Sequence, residues 1–173
     1  MLEPMRLPSL PLVLVFNEGQ LSTKAVYSEF DRVVSRQAWS AGDASSAAGG
    51  EATGSGGPSA PAGGGMEFGV RVSAHEAAWR ALSQAWVEGE FAPDQVAART
   101  AGLLANDLQR ASFGLLPSLV GDLRAIMEEG ALGAAMSGSG PTLFGLAATP
   151  SAADTLAEKS AAKGLRVCRA TAA

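Results

Sequence analysis

Two short apolar runs, Leu132–Met136 and Thr142–Ala147, flank the segment Ser137-Gly138-Ser139-Gly140-Pro141. This pattern constrains the fold more than any other feature of the chain. Each run is too short for a helix of normal length and long enough for a strand. Gly, Ser and Pro between them are turn residues, so the chain reverses tightly and the two strands lie side by side. Downstream, Ser151 with Asp154 opens a helix that runs to Lys163, Gly164 breaks it, and Leu165–Ala170 forms a last strand. Far upstream, Leu12–Phe16 is a fully apolar run that suits a buried strand. The order strand, helices, strand, strand, helix, strand predicts an α+β, ferredoxin-like split βαβ fold: an antiparallel sheet with helices on one face.

The helices between the first and second strands follow from apolar spacing. Ser22 or Thr23 caps a helix with Val26, Phe30, Val33 and Val34 on its apolar side. Ser73 and Glu76 form a capping box ahead of Trp79, Leu82 and Trp86, and Gly89 ends that helix. His75 falls inside the box, on an exposed first turn. Asp94 starts a short helix, and Asn106 caps another that contains Leu108. Pro117 opens a longer one with Leu119, Val120, Leu123, Ile126 and Met127 as its buried stripe and Gly130 at its end. Glu128 and Glu129 sit unfavourably at the negative end of its dipole.

One stretch stands apart. Ala41–Gly65 holds nine of the 21 glycines and no large apolar residue. It cannot bury enough surface to offset the entropy of ordering, so a flexible insertion is expected over residues 41–70. Its glycines do not make a phosphate loop, because no strand precedes them and no Lys sits among them. Residues 1–40 and 71–173 then form one domain around it.

Charge and cysteine content narrow the functional classes. The thirteen Lys and Arg are scattered singly and the net charge is −4, which argues against nucleic acid or an anionic membrane as partner. The single Cys168 has no Cys or His at metal-ligand spacing, and a small buried apolar role is expected for it. Leu10–Phe16 contains Pro11 and is too short to span a bilayer. A cytoplasmic setting with no membrane and no nucleic-acid partner is the expectation.

The segment that can carry chemistry is the loop itself. Gly138 and Gly140 permit positive φ and leave no Cβ to hold a ligand away. Successive amides in such a turn can face one concavity and bind an anion, with the Ser137 and Ser139 hydroxyls as further donors and Pro141 stiffening the exit. The same residues also suit a plain hairpin, so the residue chemistry leaves both readings open. Asn106, Asp107, Ser22 and Thr23 are helix caps first, and Trp79 and Trp86 are core or interface residues.

Met136-Ser137-Gly138-Ser139-Gly140-Pro141-Thr142 between two apolar strands resembles the third signature motif of the GHMP family of small-molecule kinases. Leu21–Tyr27, Asn106-Asp107-Leu108 and Leu116-Pro117-Ser118-Leu119 are similar to three helix starts in the branch of that family serving non-mevalonate isoprenoid biosynthesis. Order and spacing agree over roughly residues 11–36 and 100–170. Lys24 stands where Pro is frequent in the branch, and Gln109 where Glu is common. The resemblance implies the C-terminal domain of a kinase that uses ATP with Mg²⁺ to phosphorylate a small-molecule substrate, the hydroxyl of diphosphocytidyl-methylerythritol. It places Ser137, Gly138, Ser139, Gly140 and Pro141 beside the phosphates, with Asn106, Asp107, Ser22 and Thr23 toward the active-site wall. It also implies that the ATP-binding glycine-rich motif and the Lys and Asp of phosphoryl transfer lie in an N-terminal kinase domain that this chain lacks. The chain alone is expected to carry no catalytic residue, no metal ligand and no activity, and to need that domain as its partner. Another GHMP member, such as homoserine or mevalonate kinase, shares the third motif. A non-catalytic ferredoxin-like ligand-binding or pairing module is the alternative from another class.

Overall fold

A computed structural model of the chain describes residues 8–46 and 64–172. Among these residues the sheet has four strands: β1 (Leu10–Phe16), β2 (Gly133–Met136), β3 (Thr142–Leu146) and β4 (Arg166–Ala172). Their spatial order is β2-β3-β1-β4, and every neighbouring pair is antiparallel. This is the split arrangement expected: β3 lies between β1 and β2, and β1 between β3 and β4. The helices are α1 (Thr23–Ser46), α2 (Gly64–Val87), α3 (Pro93–Ala101), α4 (Gln109–Leu115), α5 (Ser118–Glu128) and α6 (Pro150–Ala162).

Alternation along the strands sorts side chains onto two faces. In register, Val13 faces Gly145 and Val15 faces Leu143 across β1 and β3. These residues pack under α5 and α6 with Leu119, Ile126 and Leu156, all of them at most 2% exposed. Burying a side chain of this size contributes about 1.5–3 kcal/mol, so this layer is the main source of cohesion. Gly145 sits where α5 comes closest: a Cβ there would lie 2.5 Å from Ile126 Cγ2. The opposite face carries Leu10, Leu12 and Leu146. There α3 adds a contact the helices-on-one-face expectation did not contain: Ala97 and Ala101 pack at one end of the sheet. A Cβ at Gly133 would lie 2.9 Å from Ala101 Cβ, so α3 reaches this face only because Gly133 has no side chain.

Several expectations are corrected. The capping box at Ser73 and Glu76 is no helix start, because α2 already runs from Gly64. Met66, Glu67 and Arg71 are good helix formers and no Pro interrupts the run, but Gly69 and the Val residues are not, so the earlier start is not a matter of local propensity. His75 is therefore a mid-helix residue: its Nε2 accepts from Trp79 Nε1 at 2.9 Å, and Glu76 pairs with Arg80. Helix also enters the low-complexity stretch at both ends, through Ser46 and from Gly64. The rest of that expected insertion, residues 47–63, lies outside the described residues.

On α5 only Leu119, Leu123 and Ile126 turn inward; Val120 and Met127 are exposed, one position further round the helix. Val34 on α1 is exposed for the same reason. Helix α6 starts earlier than Ser151: Thr149 Oγ1 accepts from Ala152 N–H at 3.1 Å, with Pro150 in the first turn. Cys168 is exposed rather than buried, because it pairs with Leu14 and so points to the sheet face opposite the one that α5 and α6 cover, whereas its neighbour Val167 packs against the core. Gly89, Gly130 and Gly164 do follow their helices with positive φ. The unfavourable Glu129 is offset in part by Lys163, whose Nζ lies 3.4 Å away. No helix among the described residues is long and apolar enough to cross a membrane.

Candidate functional site

The turn from β2 to β3 is closed by its own backbone. Ser137 N–H donates to Thr142 O and Gly140 N–H to Ser137 O, each at 2.9 Å. Gly138 and Gly140 have φ of +56° and +78°, a region strained for any residue with a side chain. The Gly140–Pro141 peptide is cis. The two glycines differ in surroundings. A Cβ on Gly138 would meet nothing within 4 Å, whereas one on Gly140 would come within 2.7 Å of Met136 Sδ. Gly138 thus leaves open space above the turn, and Gly140 makes room for the buried Met136.

The segment leading into α4 holds the back of this loop. Asn106 Nδ2 donates to Met136 O at 2.6 Å and to Gly138 O at 2.8 Å, while its Oδ1 accepts from Leu108 N–H at 2.9 Å. Asn106 is therefore not a simple cap. It begins the turn that leads into α4, and Leu108 occupies the position just before the helix. One turn on, Gln109 Oε1 accepts from Met136 N–H at 3.0 Å. One further turn on, the fully buried Ser112 donates from Oγ to Ser139 O at 3.3 Å. Three polar side chains at i, i+3 and i+6 form one stripe along the loop, the spacing that brings helix residues onto one face.

From the other side, Thr23 at the first turn of α1 places Oγ1 3.0 Å from Ser139 Oγ. Ser22 precedes it, its carbonyl accepting from Val26 N–H at 3.0 Å. The start of α1 is itself fixed by Asn17, whose Nδ2 donates to Asp122 Oδ2 at 2.5 Å and whose Oδ1 accepts from Gly19 N–H at 2.8 Å. Of the residues singled out in the sequence, the structure thus brings together Ser137–Pro141, Thr23 and Asn106. Asp107 is exposed, and its carboxylate makes no hydrogen bond or ion pair with the described residues. Gln109 and Ser112 were missed. Their signal was available in the spacing of Asn106, Gln109 and Ser112, three residues apart at and just before α4.

The chemical consequence lies in which loop groups remain free. The carbonyls of Met136, Gly138 and Ser139 are occupied by α4-side groups. The N–H groups of Gly138 and Ser139 make no hydrogen bond within the described residues. Two adjacent amide donors next to two serine hydroxyls, with no carboxylate bonded among them, can receive an anion. For a metal ion the donor set is different. Among the described residues no three or more His, Cys, Asp or Glu side chains are brought together.

Fold and site together define a class. Residues 95–164 match the family GHMP kinases C terminal. Curated proteins with detailed similarity are 4-diphosphocytidyl-2-C-methyl-D-erythritol kinases. The one from Leifsonia xyli subsp. xyli is 38% identical over 92% of this chain and 41% of its own length. The one from Streptomyces avermitilis is 38% identical over 91% of this chain and 39% of its own length. The chain thus spans about two fifths of the length of these relatives. Among solved structures, a 4-(cytidine 5'-diphospho)-2C-methyl-D-erythritol kinase superposes with a TM-score of 0.54 at 25% identity, over 98% of this chain and 45% of that one. A mevalonate kinase from L. major in complex with R-mevalonate superposes at 0.60 over 98% of this chain and 44% of that one, but at 18% identity it speaks to the fold alone.

Proposed function

We propose that this chain is the C-terminal domain of an ATP-dependent kinase that phosphorylates the hydroxyl of 4-diphosphocytidyl-2-C-methyl-D-erythritol, in the cytoplasm, as a step of non-mevalonate isoprenoid biosynthesis. The substrate is taken from the relatives, whose similarity runs through more than nine tenths of the chain. The observation that carries the role of this domain is the loop: its carbonyls are tied behind it and the Gly138 and Ser139 amides are left open.

Phosphoryl transfer asks a protein for positioning and charge stabilisation rather than for covalent chemistry. Fixed N–H donors need no reorganisation as charge develops, which is why they act strongly on an anionic transition state. Gly138 and Ser139 N–H would receive phosphate oxygens, and the Ser137 and Ser139 hydroxyls would add donors at the rim. Thr23 would hold the Ser139 hydroxyl in place. ATP with Mg²⁺ supplies the phosphoryl group and its charge neutralisation. Their cradle would belong to the ATP-binding half, in the same or a separate chain, since this chain matches only about two fifths of the relatives' length.

The test joins this chain to the N-terminal half of the Leifsonia xyli relative and offers three alcohols with ATP. Turnover of 4-diphosphocytidyl-2-C-methyl-D-erythritol, with none of mevalonate or homoserine, is the expected result. A folded protein that turns over mevalonate or homoserine instead would contradict the proposal.

A further inference from the structure

Asn106 uses every polar atom of its side chain. Oδ1 serves its own turn by accepting from Leu108 N–H, and Nδ2 serves the loop by donating to Met136 O and Gly138 O. An amide has two N–H donors, so these two carbonyls exhaust them. We infer that Asn106 is a positioning residue that sets the plane of the Gly138–Ser139 peptide and so aims the Ser139 N–H at the anion. The inference rests on the anion-binding reading of the loop.

The geometry is that of the trans peptide unit, whose C=O and N–H point to opposite sides of one plane. Pulling Gly138 O toward Asn106 turns the Ser139 N–H away from α4, on the side opposite the clamp. Without that pull the plane is free to rotate about ψ of Gly138 and φ of Ser139, since glycine has no Cβ to restrict it and no neighbour stands within 4 Å of where one would be. The turn's own bonds close its ends, Ser137 N–H to Thr142 O and Gly140 N–H to Ser137 O, but neither holds the Gly138–Ser139 peptide between them. Asn106 holds that peptide from 32 residues away. Ser112 does the same for the next peptide by holding Ser139 O, and Gly140 N–H is already engaged within the turn. The Ser139 amide is thus the donor that depends on Asn106.

The two halves of the Asn106 side chain can be separated by substitution. Asn106→Ser keeps an acceptor for the local turn and lacks the reach to both carbonyls. Asn106→Asp keeps shape and acceptor and places a carboxylate against two carbonyl oxygens. The experiment titrates the ¹⁵N-labelled chain with sodium pyrophosphate at fixed ionic strength, following the amide signals of Gly138 and Ser139 with a melting curve for each variant. The unsubstituted chain should show saturable shifts at both amides, with the Asn106 side-chain NH₂ signals moving in step, because a hydrogen bond at one end of a peptide polarises the other. Asn106→Ser should raise the apparent Kd about tenfold, with the Leu108 amide signal and the melting curve little changed. Asn106→Asp should weaken binding at least as much. Binding by Asn106→Ser within about twofold of the unsubstituted chain would overturn the inference. So would Asn106 NH₂ signals that stay still at saturation, a readout that needs no variant. Absence of any saturable shift at Gly138 and Ser139 in the unsubstituted chain is a separate result, and it would overturn the anion-binding reading on which the inference rests.

Discussion

Thr23 Oγ1 and Ser139 Oγ lie 3.0 Å apart although 116 residues separate them in the chain. The contact joins the start of α1 to the loop between β2 and β3, so the two segments that the sequence marks separately form one site. Both hydroxyls are exposed, and water competes for them. A neutral hydrogen bond nets about 0.5–1.5 kcal/mol in favourable settings, so the low end applies here. A double-mutant cycle of Thr23→Val and Ser139→Ala, read by denaturant unfolding, should give a coupling below about 1 kcal/mol. A coupling above about 2 kcal/mol would show that the pair holds the fold together rather than orienting a hydroxyl.

Gly145→Val tests the core. Its Cβ would lie 2.5 Å from Ile126 Cγ2 and 3.4 Å from Leu156 Cδ2, under the two helices that cover the sheet. Overpacking of this kind costs about 1–3 kcal/mol. The melting midpoint should drop clearly. An unchanged midpoint would mean that α5 does not press on β3 as described.

The two loop glycines should respond differently. Gly138→Ala adds a methyl group in open space and bears only the strain of positive φ, about 1–2 kcal/mol. Gly140→Ala bears the same strain and also collides with Met136, which is 2% exposed. Chemical denaturation should rank Gly140→Ala as the less stable variant. Equal stability of the two would remove the distinction between a glycine that faces a ligand and one that faces the core.

How much of this was legible in the sequence depends on the range of the forces involved. The split order of strands followed from short apolar runs and from Gly and Pro between them, because alternation and turn chemistry are local. The polar clamp on the loop was not legible. Asn106 reads as a cap by its neighbours, and its bonds to Met136 and Gly138 exist only once α4 and β2 have met. The helix over Gly64–Val72 was missed as well. Ser73 and Glu76 carry a local start signal, and the helix passes through it although Gly64, Gly65 and Gly69 are poor helix formers, so local propensity does not account for its earlier start. Cys168 was misplaced because composition does not tell which face of the sheet a strand residue points to.

The 173-residue chain by itself should show no ATP-dependent turnover of 4-diphosphocytidyl-2-C-methyl-D-erythritol, mevalonate or homoserine. It spans about two fifths of the relatives' length and holds no nucleotide-binding glycine motif of the G-x-x-x-x-G-K type. A coupled assay showing turnover above buffer, abolished by a substitution in this chain, would reveal a catalytic group overlooked here.

The account's central claim is that the Ser137–Pro141 loop handles phosphate through its backbone. The most direct measurement is kcat/KM for 4-diphosphocytidyl-2-C-methyl-D-erythritol in the joined two-domain protein with and without Gly138→Val, alongside a melting curve for each. The added side chain stands on the residue that carries one free amide and precedes the other, in open space with no other residue within 4 Å of its Cβ. Since removing one donor aimed at developing charge costs about 10²–10³ in rate, kcat/KM should fall about a hundredfold or more in a protein that still melts cooperatively. Full activity in a well-folded Gly138→Val protein would contradict the claim and reduce the loop to an ordinary turn.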